Sequence, residues 1–231
     1  MKTIGLIGGL SWESSVEYYR LINEGIKDRL GGLHSAQSLL YSVDFGPVEE
    51  HMRQGDWQQI DKLLVDVALR LQRGGAEFLM ICSNTMHKCA DSIREQTGMQ
   101  LIHIADAAAQ KSKEQGVKKV GLLGTRFVME EDFYRQRLNE QHGIEVIIPE
   151  EAERHRINNV IFQELCLGIL SQQSKEEFQK IINNLVVQGA EGIVLGCTEI
   201  PLLIKQADVT VPVFDTMTLH AEAAVRFALE N

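Results

Sequence analysis

The feature that most constrains this chain is that it repeats itself at about half its length. Residues 4–9 read IGLIGG and residues 120–125 read VGLLGT, 116 positions apart. Residues 75–83 read GAEFLMICS and residues 189–197 read GAEGIVLGC, 114 positions apart. Two matches in the same order at nearly the same offset, one with a shared Gly-Ala-Glu lead-in, argue for a duplicated unit. A chain of 231 residues then divides into two small domains of like architecture rather than one large one.

The apolar pattern says what that unit is. Continuous apolar runs of four to six residues recur at Ile4–Ile7, Leu39–Val43, Phe78–Ile81, Leu101–Ile104, Val120–Leu123, Glu145–Ile148, Gly192–Leu195 and Val211–Phe214. Such runs suit parallel strands covered on both faces. Between them, Ser14–Asp28, Trp57–Arg73, Glu131–His142 and Lys175–Gln188 carry apolar residues at helical spacing. Alternating strands and helices give an α/β class. The expected fold is two pseudo-symmetric, doubly wound parallel-sheet half-domains. The first spans residues 1–105 and takes in the C-terminal helix, residues 215–231, whose helical pattern runs Thr216–Leu229. The second spans residues 106–214. Ligands of such sheets sit beyond the carboxyl ends of the strands, so the active site is expected in a cleft between the halves.

Bulk properties remove several function classes. The net charge is −9 and no basic cluster stands out, so nucleic acid is not an expected partner. No run approaches the roughly 18 apolar residues of a membrane span, and the Gly-broken start is no signal peptide; a cytoplasmic protein without membrane partners is expected. Cys82, Cys89, Cys166 and Cys197 have no metal-ligand spacing, and no disulfide framework is expected in that compartment. Gly5, Gly8 and Gly9 do not form the dinucleotide fingerprint. Cys82 and Cys89 read as core residues, and Cys166, within IFQELCLGIL, as a structural position. His87, His103 and His220 read either as packed or surface residues or as general bases.

The repeat brings chemistry together. It superposes Ser83 on Cys197, Asn84 on Thr198 and Thr85 on Glu199. Each half thus ends an apolar strand in a small nucleophilic side chain followed by polar residues. The first-strand turns add Gly8, Gly9, Leu10 and Ser11 in one half, and Gly124 and Thr125 in the other. Their backbone N–H groups and hydroxyls suit carboxylate oxygens.

On IGLIGG, Asn84–His87 (NTMH), Leu122–Thr125 (LLGT) and above all Leu195–Leu203 (LGCTEIPLL), the chain resembles the aspartate/glutamate racemase superfamily over its whole length. The resemblance implies a racemase that works without pyridoxal phosphate, any other cofactor or a metal, inverting aspartate and/or glutamate to and from its D-form. Two acid/base residues, usually both cysteines, serve opposite faces of the substrate Cα, the second-half cysteine facing the L-substrate. This chain keeps Cys197 but carries Ser83 at the first position, like a branch with a hydroxyl residue there, usually Thr. Cys82, one position away on a strand, points to the other face. Asn84, Thr85, Thr125, Thr198 and Glu199 match the family's residues around the substrate. Arg53, expected on the loop after the second strand, is the candidate partner of a side-chain carboxylate. The family's further substrate-binding lysine falls near Cys166, where no cation stands. Buried thiolates need N–H donors or cations nearby, and these are expected around Cys197. A homodimer is the expected assembly. Two other readings stay open: a single-cysteine decarboxylase or isomerase of the same superfamily, and a catalytically weak amino-acid-binding homologue.

Overall fold

The structure, a computed structural model, describes residues 1–230. It divides into two units, Met1–His103 with the chain from His220 on, and Ile104–Leu219.

In the first unit, β1 (Ile4–Gly8) leads into α1 (Trp12–Leu30), β2 (Ser38–Ser42), α2 (Phe45–Gln54), α3 (Trp57–Arg73) and β3 (Phe78–Ile81). A 3₁₀ turn, Thr85–Cys89, then precedes α4 (Ala90–Thr97) and β4 (Gln100–Leu101). The strands are all parallel, in the order β2-β1-β3-β4. β1 and β3 are buried at every position, as their unbroken apolar runs require.

The second unit opens with α5 (Ile104–Glu114) and β5 (Lys119–Gly124), followed by α6 (Arg126–Glu130), α7 (Asp132–Gln136) and β6 (Glu145–Ile147). Next come α8 (Glu151–Gln163), α9 (Gln172–Val187), β7 (Gly192–Gly196), α10 (Ile200–Leu203) and β8 (Val213–Asp215). The final helix, α11 (Thr216–Leu229), begins in this unit and continues in the first. The sheet order β6-β5-β7-β8, again all parallel, is that of the first unit. Its core packs Leu123, Ile157, Phe178, Leu185 and Ile193 on one side, and Ile104, Val120, Leu122, Tyr134 and Phe214 on the other.

The sequence repeat is a repeat of registers. Ile4 pairs with Phe78 and Val120 with Gly192, which are the same positions under the two offsets. The shared Gly-Ala-Glu has a common task. Gly75 and Gly189 hold φ of 96° and 97°, a conformation that favours glycine. The Ala76 and Ala190 N–H groups then close the preceding helices on Leu71 and Leu185. Glu77 and Glu191 accept backbone N–H bonds from Thr3 and from Lys118 and Lys119, just ahead of the neighbouring strand's buried run.

Three elements differ from expectation. Leu101–Ile104 is a strand only at its start, because Ile104 already belongs to α5. The helix expected over Glu131–His142 is α7 followed by a π turn, Arg137–Gln141. Arg137 and His142, five residues apart, both reach Asp106, and five residues is the hydrogen-bond span of a π turn. The segment that carries Arg53, expected on a loop after the second strand, is the helix Phe45–Gln54: Asp44 Oδ1 caps the Gly46 N–H, and Pro47 falls in the first turn, where its missing donor is not needed. Among the described residues, no helix is long and apolar enough to cross a membrane.

Candidate active site

In a sheet of order 2-1-3-4, the chain leaves β1 toward one edge and comes back to build the other. The carboxyl ends of the two central strands therefore flank the point where the winding reverses, which is where such folds hold ligands. In the first unit those ends carry Leu10, Ser11, Ser83, Asn84 and Thr85. In the second they carry Thr125, Cys197, Thr198 and Glu199.

At the end of β1, Gly9 has φ +76°, and a Cβ there would lie 2.2 Å from the Val43 carbonyl oxygen, so only glycine fits. Leu10 is buried, and the Ser11 hydroxyl caps α1 by accepting the Ser14 N–H. Ser15 Oγ accepts the Gly9 N–H at 2.8 Å and donates to the Ser11 carbonyl, fixing the turn. At the end of β3, Ser83 is half-buried, and Asn84 and Thr85 are buried. The Ser83 hydroxyl oxygen accepts the Met86 N–H, in the first turn of the 3₁₀ segment, at 3.4 Å. Arg53 does not lie on a loop. It is exposed in the last turn of α2, about 12 Å along the helix axis from Phe45.

In the second unit, Gly124 and Gly196 are register partners. A Cβ on Gly124 would stand 2.8 Å from the Gly196 carbonyl oxygen. Their close approach sets the residues that follow, Thr125 and Cys197, side by side. Thr125 is buried and caps α6 by accepting the Val128 N–H. Cys197 is 6% exposed, and its thiol donates to Glu199 Oε2 at 3.0 Å. The Thr198 hydroxyl donates to the same oxygen at 2.8 Å.

The electrostatics of Cys197 run opposite to expectation. Burial pushes the thiol well above its ordinary value, and the Glu199 carboxylate pushes further in the same direction. The Glu199 backbone N–H works the other way without prevailing. The sulfur is thus kept as a thiol with a carboxylate waiting on its proton. Cys82 is buried and raised by burial alone, and Cys89 is buried as well. Cys166 is not a packed structural residue but is exposed in the 3₁₀ turn Leu165–Leu167. Among the described residues, no group of His, Cys, Asp and Glu is placed to hold a metal.

The profile of the family described as Asp/Glu/Hydantoin racemase matches residues 7–224. The chain belongs to that family. This racemase-family chain is 53% identical to a Yersinia pestis protein assigned to the Asp/Glu racemases, over all of both chains, with a TM-score of 0.95. It is 36% identical to an aspartate racemase homologue from Pyrococcus horikoshii OT3, again over all of both chains, with a TM-score of 0.86. The broad-specificity amino-acid racemase RacX of Bacillus subtilis is 22% identical over 173 residues, which cover 74% of this chain and 73% of RacX. Such relatives make the racemase-family chain an isomerase-type enzyme.

The repeat and the strand pattern point to the strand-end residues in the sequence. The thiol–carboxylate contact between Cys197 and Glu199 is missed there, because spacing of two along a chain does not say whether side chains meet.

Proposed function

We propose that the protein is a cofactor-independent racemase of aspartate and/or glutamate, with Cys197 as principal acid/base and Ser83 in the opposite role. The observation that carries this reading is the buried Cys197 thiol bonded to Glu199 at the carboxyl end of β7. Glu199 accepts the thiol proton, and the thiolate then removes the α-proton of the L-amino acid. The proton shift within the pair keeps its charge at one negative, and removal of the α-proton then neutralises the pair and passes that charge to the substrate, so no second buried charge is created. The charge that develops on the substrate carboxylate goes to preorganised donors, for which Thr125 and Thr198 of the second unit and Leu10, Ser11, Asn84 and Thr85 of the first are the candidates. The exposed Arg53 is the candidate partner of the substrate's side-chain carboxylate.

The Ser83 hydroxyl gives the proton that completes inversion. A hydroxyl is a far weaker acid than a thiol, so this step is the harder one, and return of a proton from Cys197 to the same face competes with it. The equilibrium constant between free enantiomers is one, so kcat/KM is equal in both directions, and asymmetry shows only in isotope exchange and in kcat and KM separately. In heavy water, the L-enantiomer gains α-deuterium faster than it inverts, and the D-enantiomer does not. Proton NMR of the α-signal alongside chiral chromatography measures both. Cys197→Ala abolishes exchange and inversion, while exhaustive dialysis and chelators leave both unchanged. Equal exchange and inversion for both enantiomers would sink the one-sided picture, and an active Cys197→Ala would sink the assignment of the base. The single thiol also favours a second reading, a one-cysteine decarboxylase or isomerase. That reading requires the wild type to leave the α-protons of both aspartate and glutamate unexchanged.

A further inference from the structure

Three of the seven histidines, His87, His103 and His220, are 5% exposed or less, and all three lie in the first unit beside the end of β3. The ring of His87 stands edge-on to His103, centroids 4.5 Å apart, and to His220 at 5.4 Å. The fully buried Tyr18 of α1 meets His220 edge-on at 5.6 Å. Together they join the carboxyl ends of β3 and β4 to α1 and α11.

Their hydrogen bonds specify which nitrogens carry protons. A carbonyl only accepts, so a ring nitrogen bonded to one must be N–H. His87 Nδ1 lies 2.7 Å from the Ser83 carbonyl oxygen and therefore donates. His220 Nε2 lies 2.8 Å from the Ile102 carbonyl oxygen and donates there. In the neutral ring, Nδ1 of His220 is then an acceptor, and the Tyr18 hydroxyl at 2.8 Å supplies the proton. The two rings are held in opposite tautomers.

The Ser83 carbonyl is the group that needs such a partner. The last ladder bond of β3 is Cys82 N–H to the Ile7 carbonyl. Beyond it, the Met86 N–H goes to the Ser83 hydroxyl oxygen and the His87 N–H to the Asn84 carbonyl. The sheet stops holding the backbone one residue before the hydroxyl, and the 3₁₀ turn spends those two N–H groups elsewhere. A half-buried carbonyl left unmet is costly, and the His87 ring meets it.

We propose that His87 is the positioning residue for Ser83: its Nδ1–H clamps the Ser83 peptide where the β-ladder ends, with His103, His220 and Tyr18 fixing the ring. The clamp sets the direction of the Ser83 side chain. Because Oγ accepts from Met86, the hydroxyl proton is left to be donated. The inference rests on the racemase reading of Ser83 and deepens it.

The test compares His87→Asn, His87→Gln and His87→Leu with wild type. The amide nitrogen of Asn can take the place of Nδ1, whereas that of Gln reaches the place of Nε2. Displacement of a reacting group by about 1 Å can cost up to 10²-fold. His87→Leu is therefore expected to lower kcat for L-to-D inversion at least tenfold, with KM and deuterium uptake into the L-substrate near wild type, because Cys197 performs the uptake. His87→Asn recovers most of the loss and His87→Gln does not. Equal losses of inversion and uptake, or Asn no better than Gln, overturn the clamp, as does an unimpaired Leu variant. If the Leu variant does not fold, ring ¹⁵N NMR of the wild type decides. Protonation of His87 at Nδ1 and of His220 at Nε2 supports the proposal, and His87 protonated at Nε2 alone overturns it. Wild type that exchanges no α-proton at all instead overturns the racemase reading, and this outcome is recognised before any variant is compared.

Discussion

Cys197 and Glu199 form a unit whose two members want the same proton. Removing the carboxylate's charge while keeping its shape separates their roles. Glu199→Gln takes away one of the causes that raise the thiol, so the midpoint of alkylation rate against pH moves down. The variant also loses the acceptor for the thiol proton, and deuterium uptake into the L-substrate falls by roughly 10²-fold or more. A variant with full uptake, or with an unmoved midpoint, would show that Glu199 does not serve the thiol. Much of this site could be read in the sequence, because the repeat aligned Ser83 with Cys197 and both fall at strand ends. The sign of the electrostatics could not. Whether a thiol faces N–H groups or a carboxylate depends on how the Cys-Thr-Glu turn folds over, and composition is silent on that.

At the scale of elements, Gly124 and Gly196 show why two strands end where they do. A methyl group on Gly124 meets a backbone oxygen at 2.8 Å, and a carbonyl cannot swing aside as a side chain would. Gly124→Ala is expected to cost about 2 kcal/mol in urea unfolding and to lower activity beyond what the stability loss explains, since Cys197 follows Gly196. Unchanged stability and unchanged kcat would show that the strands can part without consequence. Element boundaries were legible where one pattern ruled: Trp57–Arg73, Phe78–Ile81 and Thr216–Leu229 are found as their periodicity predicts. They were obscured where a local bond overrides pattern. The Asp44 cap turns a Gly-Pro segment into α2 and carries Arg53 off its expected loop, and the pull of Asp106 on Arg137 and His142 accompanies a π turn in place of a plain helix.

Across the whole molecule, the repeat predicts equivalent supports in both units, and the glutamates of Gly-Ala-Glu are the test. Backbone N–H bonds from Lys118 and Lys119 hold the Glu191 carboxyl below its ordinary value. A carboxyl depressed by folding adds stability above its unfolded pKa of about 4.3 and loses it as pH falls through the folded value. Glu191→Gln therefore lowers the urea midpoint at pH 7, and the gap from wild type closes below about pH 4. A gap that persists unchanged in acid would mean that the charge contributes nothing.

The first unit is also discontinuous. It is completed by α11, where Phe227 stands edge-on to Phe78 of β3, 4.9 Å between centroids, Val225 lies against Gly25 of α1, and the Ala228 carbonyl accepts the Lys2 N–H. During synthesis, a chain emerges N-terminus first at about 5–20 residues per second. The part of this protein made earliest must therefore wait on the order of ten seconds, with Phe78 of β3 and the Gly25 side of α1 uncovered, until residues 104–219 have been added and the last helix arrives. The second unit, contiguous in the chain, is the one able to fold as it leaves the ribosome, so the order of synthesis and the order of completion are reversed.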